Sequence, residues 1–256
     1  MDVVGDFVAR ERRSDALALL TDSRAGSYSY EKLCTNAWKA GNLLSHYGVR
    51  GDATVAIDPG ESLSPPPLTA FLGAALLGAT VRFESPETDR ADETDETDHS
   101  DVPESVETRA LVVPVARIDG YDPAPGTTVL AYGDVPEDPT VTHFEREVWS
   151  ENPTTPPNEV RPDDALLASG GDGRRVTHRQ AVDAAERVAD DGGLDGEHLV
   201  APRASLADPA VVVAGVLAPL SVGAAILLDG SATGDVGVGS ADQVPESQRI
   251  DPEDVF

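Results

Sequence analysis

SYSYEKLCTNAWKAGNLLSHYGVRGDATVAI, residues 27–57, sets the pattern by which the rest of the chain is read. Ser29 is placed to cap a helix, and Glu31 suits the positive end of its dipole. Leu33, Ala37, Ala40, Gly41 and Leu44 then recur at helical spacing, and Gly48 stops the helix. TVAID at 54–58 is a strand. Upstream, 16–22 and 27–30 read as two short strands around a turn at 23–26. Downstream, 68–77 is an apolar helix and 79–84 another strand. Strand, helix, strand, helix, strand implies right-handed crossovers and a parallel sheet.

The alternation continues. Strands are expected at 110–116 and 128–134, before a Pro-rich connector at 152–162. Then come a strand at 165–168, a Gly-rich loop at 169–175, a helix at 178–190 and a strand at 199–202. Asp208 caps a helix with Pro209 at its first position, and 224–229 is a strand. The fold class expected is α/β, with mostly parallel sheets and flanking helices. The expected division is 1–151 as a first α/β subdomain, 152–162 as linker, 163–229 as a second unit, and 230–256 as a loose tail. Residues 87–107 carry ten carboxylates and one arginine, so a solvated, disordered loop is expected there rather than a packed element.

Of 256 residues, 46 are Asp or Glu and 19 Lys or Arg, for a net charge of −27. Only Lys32 and Lys39 are lysines. Such a chain repels itself and needs ionic screening. The composition resembles that of proteins from organisms that accumulate molar salt. With no basic cluster, nucleic-acid binding through the phosphate backbone is excluded. The lone Cys34 excludes an internal disulfide and reads as a small hydrophobe. Residues 209–228 lack charge over twenty positions, but Pro219, Ser221 and Gly223 interrupt them and no aromatic or cationic anchor flanks them. A buried helix and strand is expected instead, with no membrane partner and a cytoplasmic location.

The strongest local candidate for chemistry is ALLASGGDGRRVTHRQAV, 165–182, read as strand, Gly-rich turn and helix. Glycines let backbone N–H groups approach phosphate oxygens, Ser169 adds a hydroxyl, and Arg174 and Arg175 add charge. An ordinary tight turn is the competing reading, and the local sequence by itself favours it, because so short a motif matches by chance; Asp172 also puts a carboxylate where an anion would sit. His46, His99, His143, His178 and His198 show no metal-ligand spacing, and His178 reads as a capping or packing residue.

Taken together, these segments resemble, in collinear order, the N-terminal part of the AMP-forming acyl-CoA synthetase, adenylation-domain and luciferase superfamily. The opening unit is similar to the family's T-Y-x-E-L start, helix, and G-V-x-x-G-D-x-V-A-I. Residues 162–182 are similar to its phosphate loop, usually T-S-G-T-T-G-x-P-K-G-V followed by T-H. RIDPEDVF at 249–256 resembles F-D-P-E-x-V. The resemblance implies nucleotide contacts from Ser169, Gly170, Gly171 and Gly173, with Arg174 and Arg175 beside them and Arg175 standing in for the loop lysine. The P-K-G portion is missing, and Asp172 replaces a hydroxyl residue. Thr233-Gly234-Asp235 spells the family's ribose-binding tripeptide, but in a Gly/Ser-rich context that makes it a coincidence. No Y-G-x-T-E adenine segment or catalytic lysine domain occurs among these residues. The resemblance therefore implies a degenerate synthetase-like chain without independent ligase activity, in which ATP or AMP binds weakly and no catalytic or metal residue is assigned. The implied partner is a full-length synthetase. The alternative is an AMP-forming ligase subunit completed by a separately encoded C-terminal chain.

Overall fold

The computed structural model describes residues 1–22, 26–84, 108–169 and 173–256. The acidic stretch 87–107 and Gly170, Gly171 and Asp172 lie outside the described residues.

Thirteen strands are described: β1 Leu17–Leu20, β2 Tyr28–Ser29, β3 Thr54–Ile57, β4 Thr80–Phe83, β5 Thr108–Pro114, β6 Thr128–Tyr132, β7 Thr142–His143, β8 Ala165–Ala168, β9 Arg175–Thr177, β10 Leu199–Pro202, β11 Ala225–Leu227, β12 Val236–Val238 and β13 Gln248–Ile250. They form two sheets. One has seven strands in the order β7-β6-β5-β3-β4-β8-β9, and the other six in the order β13-β12-β10-β11-β1-β2. Pairing is parallel except for β1 with β2 and β8 with β9. The α/β class with mostly parallel sheets is what the alternation predicts. The principal helices are α1 Tyr30–His46, α2 Pro65–Ala75, α3 Phe144–Ser150 and α4 His178–Asp191.

Local chemistry explains these boundaries. The Ser29 hydroxyl accepts the Lys32 amide at 3.3 Å and starts α1. Gly48, at φ +84°, stops it where a side chain would be strained. Pro65 and Pro66 open α2, where their missing N–H groups cost nothing. The segment 209–222 begins as Pro209–Val212, passes through a π-helical turn at Val213–Leu217, and ends as Ala218–Val222. Pro219 supplies no amide to the preceding turn, and the wider π register accommodates that loss. The two halves of this helix and β11 are buried, as expected in place of a membrane span. No helix among the described residues is long and apolar enough to cross a membrane.

The helices α1 and α2 cross at glycines. A Cβ on Gly73 would lie 2.6 Å from the Gly41 nitrogen, so the two backbones touch where a larger residue would separate them. Their facing sides join one apolar core that includes Phe7, Leu33, Leu44, Leu68, Phe71 and Leu77. Cys34 is fully buried in it, and burial pushes its thiol up to about 11, consistent with a small hydrophobe and not a nucleophile.

Three sequence expectations are corrected. First, α1 does not cross over within one sheet, because β2 belongs to the six-stranded sheet and β3 to the seven-stranded one. Second, the division at 152–162 does not separate the sheets. β8 and β9 pair beside β4, while β1 and β2 pair beside β11. Third, 230–256 is not a loose tail. Val236 and Val238 are fully buried, β12 pairs with β10 and β13, and Asp251 caps a short 3-10 turn, Pro252–Asp254. The reason is a buried ion pair: Arg203 donates to Glu246, 43 residues on, and also to the Gly230 and Ala232 carbonyls. Short Gly-rich strands gain little alone, and this long-range clamp holds them in place.

Candidate functional site: the nucleotide-loop hairpin

The Gly-rich segment is a strand–loop–strand–helix, not the expected strand–loop–helix. β8 turns into β9 with Ala165 opposite Thr177, Leu167 opposite Val176, and Ala168 opposite Arg175. The Ser169 amide donates to the Arg174 carbonyl at 3.0 Å and closes the turn. R-V-T at 175–177 alternates exposed, buried and half-buried, which is a strand's period. Gly173 sits at φ +65°, a conformation that suits glycine. Because β9 intervenes, the positive end of α4 begins three residues past Arg174 instead of at the loop. The helix dipole is therefore centred away from the loop.

Of the residues expected at this loop, Ser169, Gly173, Arg174 and Arg175 are brought together at the hairpin end. Gly170 and Gly171 lie outside the described residues. The Arg174 guanidinium stacks over the Phe256 ring, 4.5 Å from its centroid. Arg187 donates to the Val255 carbonyl, so the final residues are fixed against this region. Arg175 is exposed and forms no ion pair among the described residues.

Thr177 caps α4, accepting the Gln180 amide at 3.2 Å, while the Gln180 side chain accepts the Thr177 amide at 3.0 Å. His178 is fully buried behind this cap, and its Nδ1 accepts the Val4 amide at 3.3 Å. Burial pulls the imidazole down to about 4, against the opposing pull of Asp164 and Asp6. It is a neutral packing residue that ties the N-terminal 3-10 helix Val4–Val8 to α4. The sign of its pH effect follows. The unfolded chain takes up a proton on this imidazole near 6.5 and the folded chain only near 4, so this contribution to stability falls as pH drops through that window. Denaturation midpoints should decline from pH 7 toward 4, and His178→Gln should flatten that decline. An unchanged slope in the variant would contradict the buried neutral assignment.

The Thr233–Asp235 tripeptide is structural. The Asp235 carboxylate accepts the Leu199 amide at 2.8 Å, and a Cβ on Gly234 would lie 2.6 Å from the Leu199 carbonyl oxygen. The segment is packed tightly against β10 as it enters β12, so it has no freedom to serve as a ribose clasp.

Sequence reasoning missed a groove of about 690 Å³ among the described residues, between α1, α3 and the start of α2. Its walls include Tyr28, Phe144, Val148 and Trp149, and both lysines line it. The signal was available: Lys32 and Lys39 are seven residues apart, on one face of α1. No group of residues suited to a metal ion occurs among the described residues.

No protein-family model matches the sequence, and no curated protein matches it. Solved structures do. The benzoate CoA ligase of Burkholderia xenovorans LB400 superposes over 98% of this chain and 56% of its own, at a TM-score of 0.76 and 18% identity. The N-terminal domain of FACL13 from Mycobacterium tuberculosis superposes over 93% of this chain and 63% of its own, at 0.72 and 16%. The anthranilate CoA ligase AuaEII, in complex with anthranoyl-AMP, matches 93% of this chain and 49% of its own, at 0.73 and 18%. The chain has the fold of the N-terminal part of an adenylate-forming ligase. It spans about half the length of such ligases, and at this identity the likeness is one of fold. Within that ligase fold the β8–β9 hairpin is the segment whose sequence resembles the family's phosphate loop.

Proposed function

We propose that this chain keeps the nucleotide-facing end of the ligase fold without the groups adenylation requires. It binds ATP or AMP weakly, works in the cytoplasm, and acts as a non-catalytic binding or regulatory partner of a full-length synthetase. The observation that carries this reading is the hairpin itself. Ten residues from Ser169 to His178 contain no lysine, and Arg174 is stacked on Phe256. Attack of a carboxylate on an α-phosphate needs oriented positive groups on the phosphates, and each such group contributes orders of magnitude to the rate. The exposed Arg175 at the hairpin end supports weak anion binding without turnover.

A second reading, a ligase subunit completed by a separate C-terminal chain, is favoured by β13. It ends the six-stranded sheet with its outer edge unpaired among the described residues, and such an edge is a ready pairing surface.

Calorimetric titration of ATP and AMP in molar KCl tests the nucleotide part. Asp172→Thr should tighten binding by removing one repulsive carboxylate, and Arg175→Ala should weaken it. Both changes should be severalfold at most, because exposed charges are screened over about 3 Å at 1 M salt. Affinity unchanged from wild type in both variants would remove the hairpin as the site.

A further inference from the structure

We propose that the groove between α1 and α3 is a binding site for a small organic anion with a flat apolar body, distinct from the nucleotide-loop hairpin. None of its lining residues belongs to that hairpin. The cavity volume falls within the roughly 300–1,000 Å³ typical of small-molecule sites.

The placement of charge carries the inference. Carboxylates outnumber cations by 46 to 19, so neutralising partners are abundant. Yet neither lysine forms an ion pair among the described residues. The Lys32 ammonium lies over the Tyr28 ring, 3.9 Å from its centroid. The Lys39 ammonium lies 5.5 Å from the Trp149 ring centroid and donates one hydrogen bond, 2.7 Å long, to the Trp149 carbonyl. An ammonium has three donors, so most of this capacity faces the groove unspent. Burial holds the Lys32 amine below its ordinary range, as expected of a cation partly withdrawn from water without a counter-charge.

Each carboxylate at the groove has at least one oxygen engaged within the fold. Glu31 pairs with Arg13 at 2.5 Å, and one oxygen of Glu145, Oε1, accepts the Gly133 amide at 2.9 Å, while its Oε2 is buried without a hydrogen bond, 3.5 Å from His143. Trp149 is 82% exposed, an unusual position for an indole on a surface otherwise dominated by carboxylates. Two unpaired ammonium groups beside aromatic faces suit an anion whose body stacks on Trp149 and whose charge meets Lys32 and Lys39.

The test uses the full chain in molar KCl, with 2-naphthoate as probe and 2-naphthalenemethanol as its uncharged counterpart. Trp38 is buried and Trp149 exposed, so the two indole N–H signals in a ¹⁵N-edited NMR spectrum report separately. Naphthoate should shift the Trp149 signal and leave that of Trp38 in place, while the alcohol should bind roughly tenfold more weakly, as expected for loss of charge-assisted hydrogen bonds. Lys32→Gln, which breaks no backbone contact, should weaken naphthoate binding by about the same factor, and Lys32→Arg should largely retain it. Lys39→Gln should act like Lys32→Gln. Equal binding of acid and alcohol, or unchanged affinity in both glutamine variants, would overturn the proposal. Displacement of naphthoate by an equimolar glutamate decapeptide would also overturn it, by assigning the groove to an acidic protein segment.

Discussion

Arg203→Met is expected to cost about 3–5 kcal/mol of folding stability, the range for removing one partner of a buried ion pair. Glu246 is inaccessible in the fold and takes two hydrogen bonds from the Arg203 Nε, at 3.1 and 3.3 Å, beside its contact with the guanidinium terminus. The Gly234 amide donates to it at 3.1 Å. Space around it is tight, since a Cβ on Gly237 would lie 2.4 Å from a Glu246 oxygen. With Arg203 gone, the carboxylate stays buried without its counter-charge. The double variant Arg203→Met/Glu246→Leu should recover most of the loss, because it removes both desolvated charges. Burial raises the Glu246 carboxyl, but hydrogen bonds from Arg203 and Gly234 outweigh it and hold the group below its ordinary 4.5. Its stabilisation is therefore complete above that pH and is lost as the folded carboxyl protonates below it. Denaturant titration at fixed salt checks the magnitude, and hydrogen exchange at Val236–Val238 checks the place. A loss under 1 kcal/mol with β12 still protected would show that the pair does not clamp these strands.

The second large effect is expected from salt. A net charge of −27 on 256 residues opposes compaction, and among the described residues the eight ion pairs made by arginine or the N-terminus engage only a minority of the carboxylates. Screening lengths fall from about 30 Å at 0.01 M to about 3 Å at 1 M. The chain should unfold on dialysis into dilute buffer and recover cooperative folding in molar KCl. Far-ultraviolet circular dichroism through a thermal melt at both limits is sufficient. A melting temperature indifferent to salt would contradict the reading of the acidity as adaptation to a saline solvent.

The elements legible in the sequence were those defined by local chemistry. The Ser29 cap, the inward face of α1, the paired prolines opening α2 and the Thr177 cap all act within a few residues of themselves. Sheet membership was not legible, because it is decided by pairing over long separations. β1 lies beside β11, with Leu19 opposite Ile226, and no local pattern announces that partner. β9 was hidden because three residues are too few for a period and because the following Thr-His pair reads as a helix start. β12 was hidden because Val236-Gly237-Val238 is weak alone and depends on Arg203 and Glu246. At the nucleotide loop, residue identities were legible and their setting was not. The set-back of α4 appears only once Arg175 pairs opposite Ala168. The groove at Lys32 and Lys39 needed α3 packed against α1 before seven-residue spacing became a cavity wall.

The central claim is that this chain has the ligase fold without independent ligase chemistry, and ATP–pyrophosphate exchange tests it most directly. The purified wild-type chain, folded in molar KCl, would be given magnesium, ATP, labelled pyrophosphate and a panel of aromatic and aliphatic carboxylic acids. The expected result is no label in ATP above the enzyme-free background for any acid, because the hairpin supplies no lysine to the phosphates. Acid-dependent exchange by this chain alone would contradict the claim.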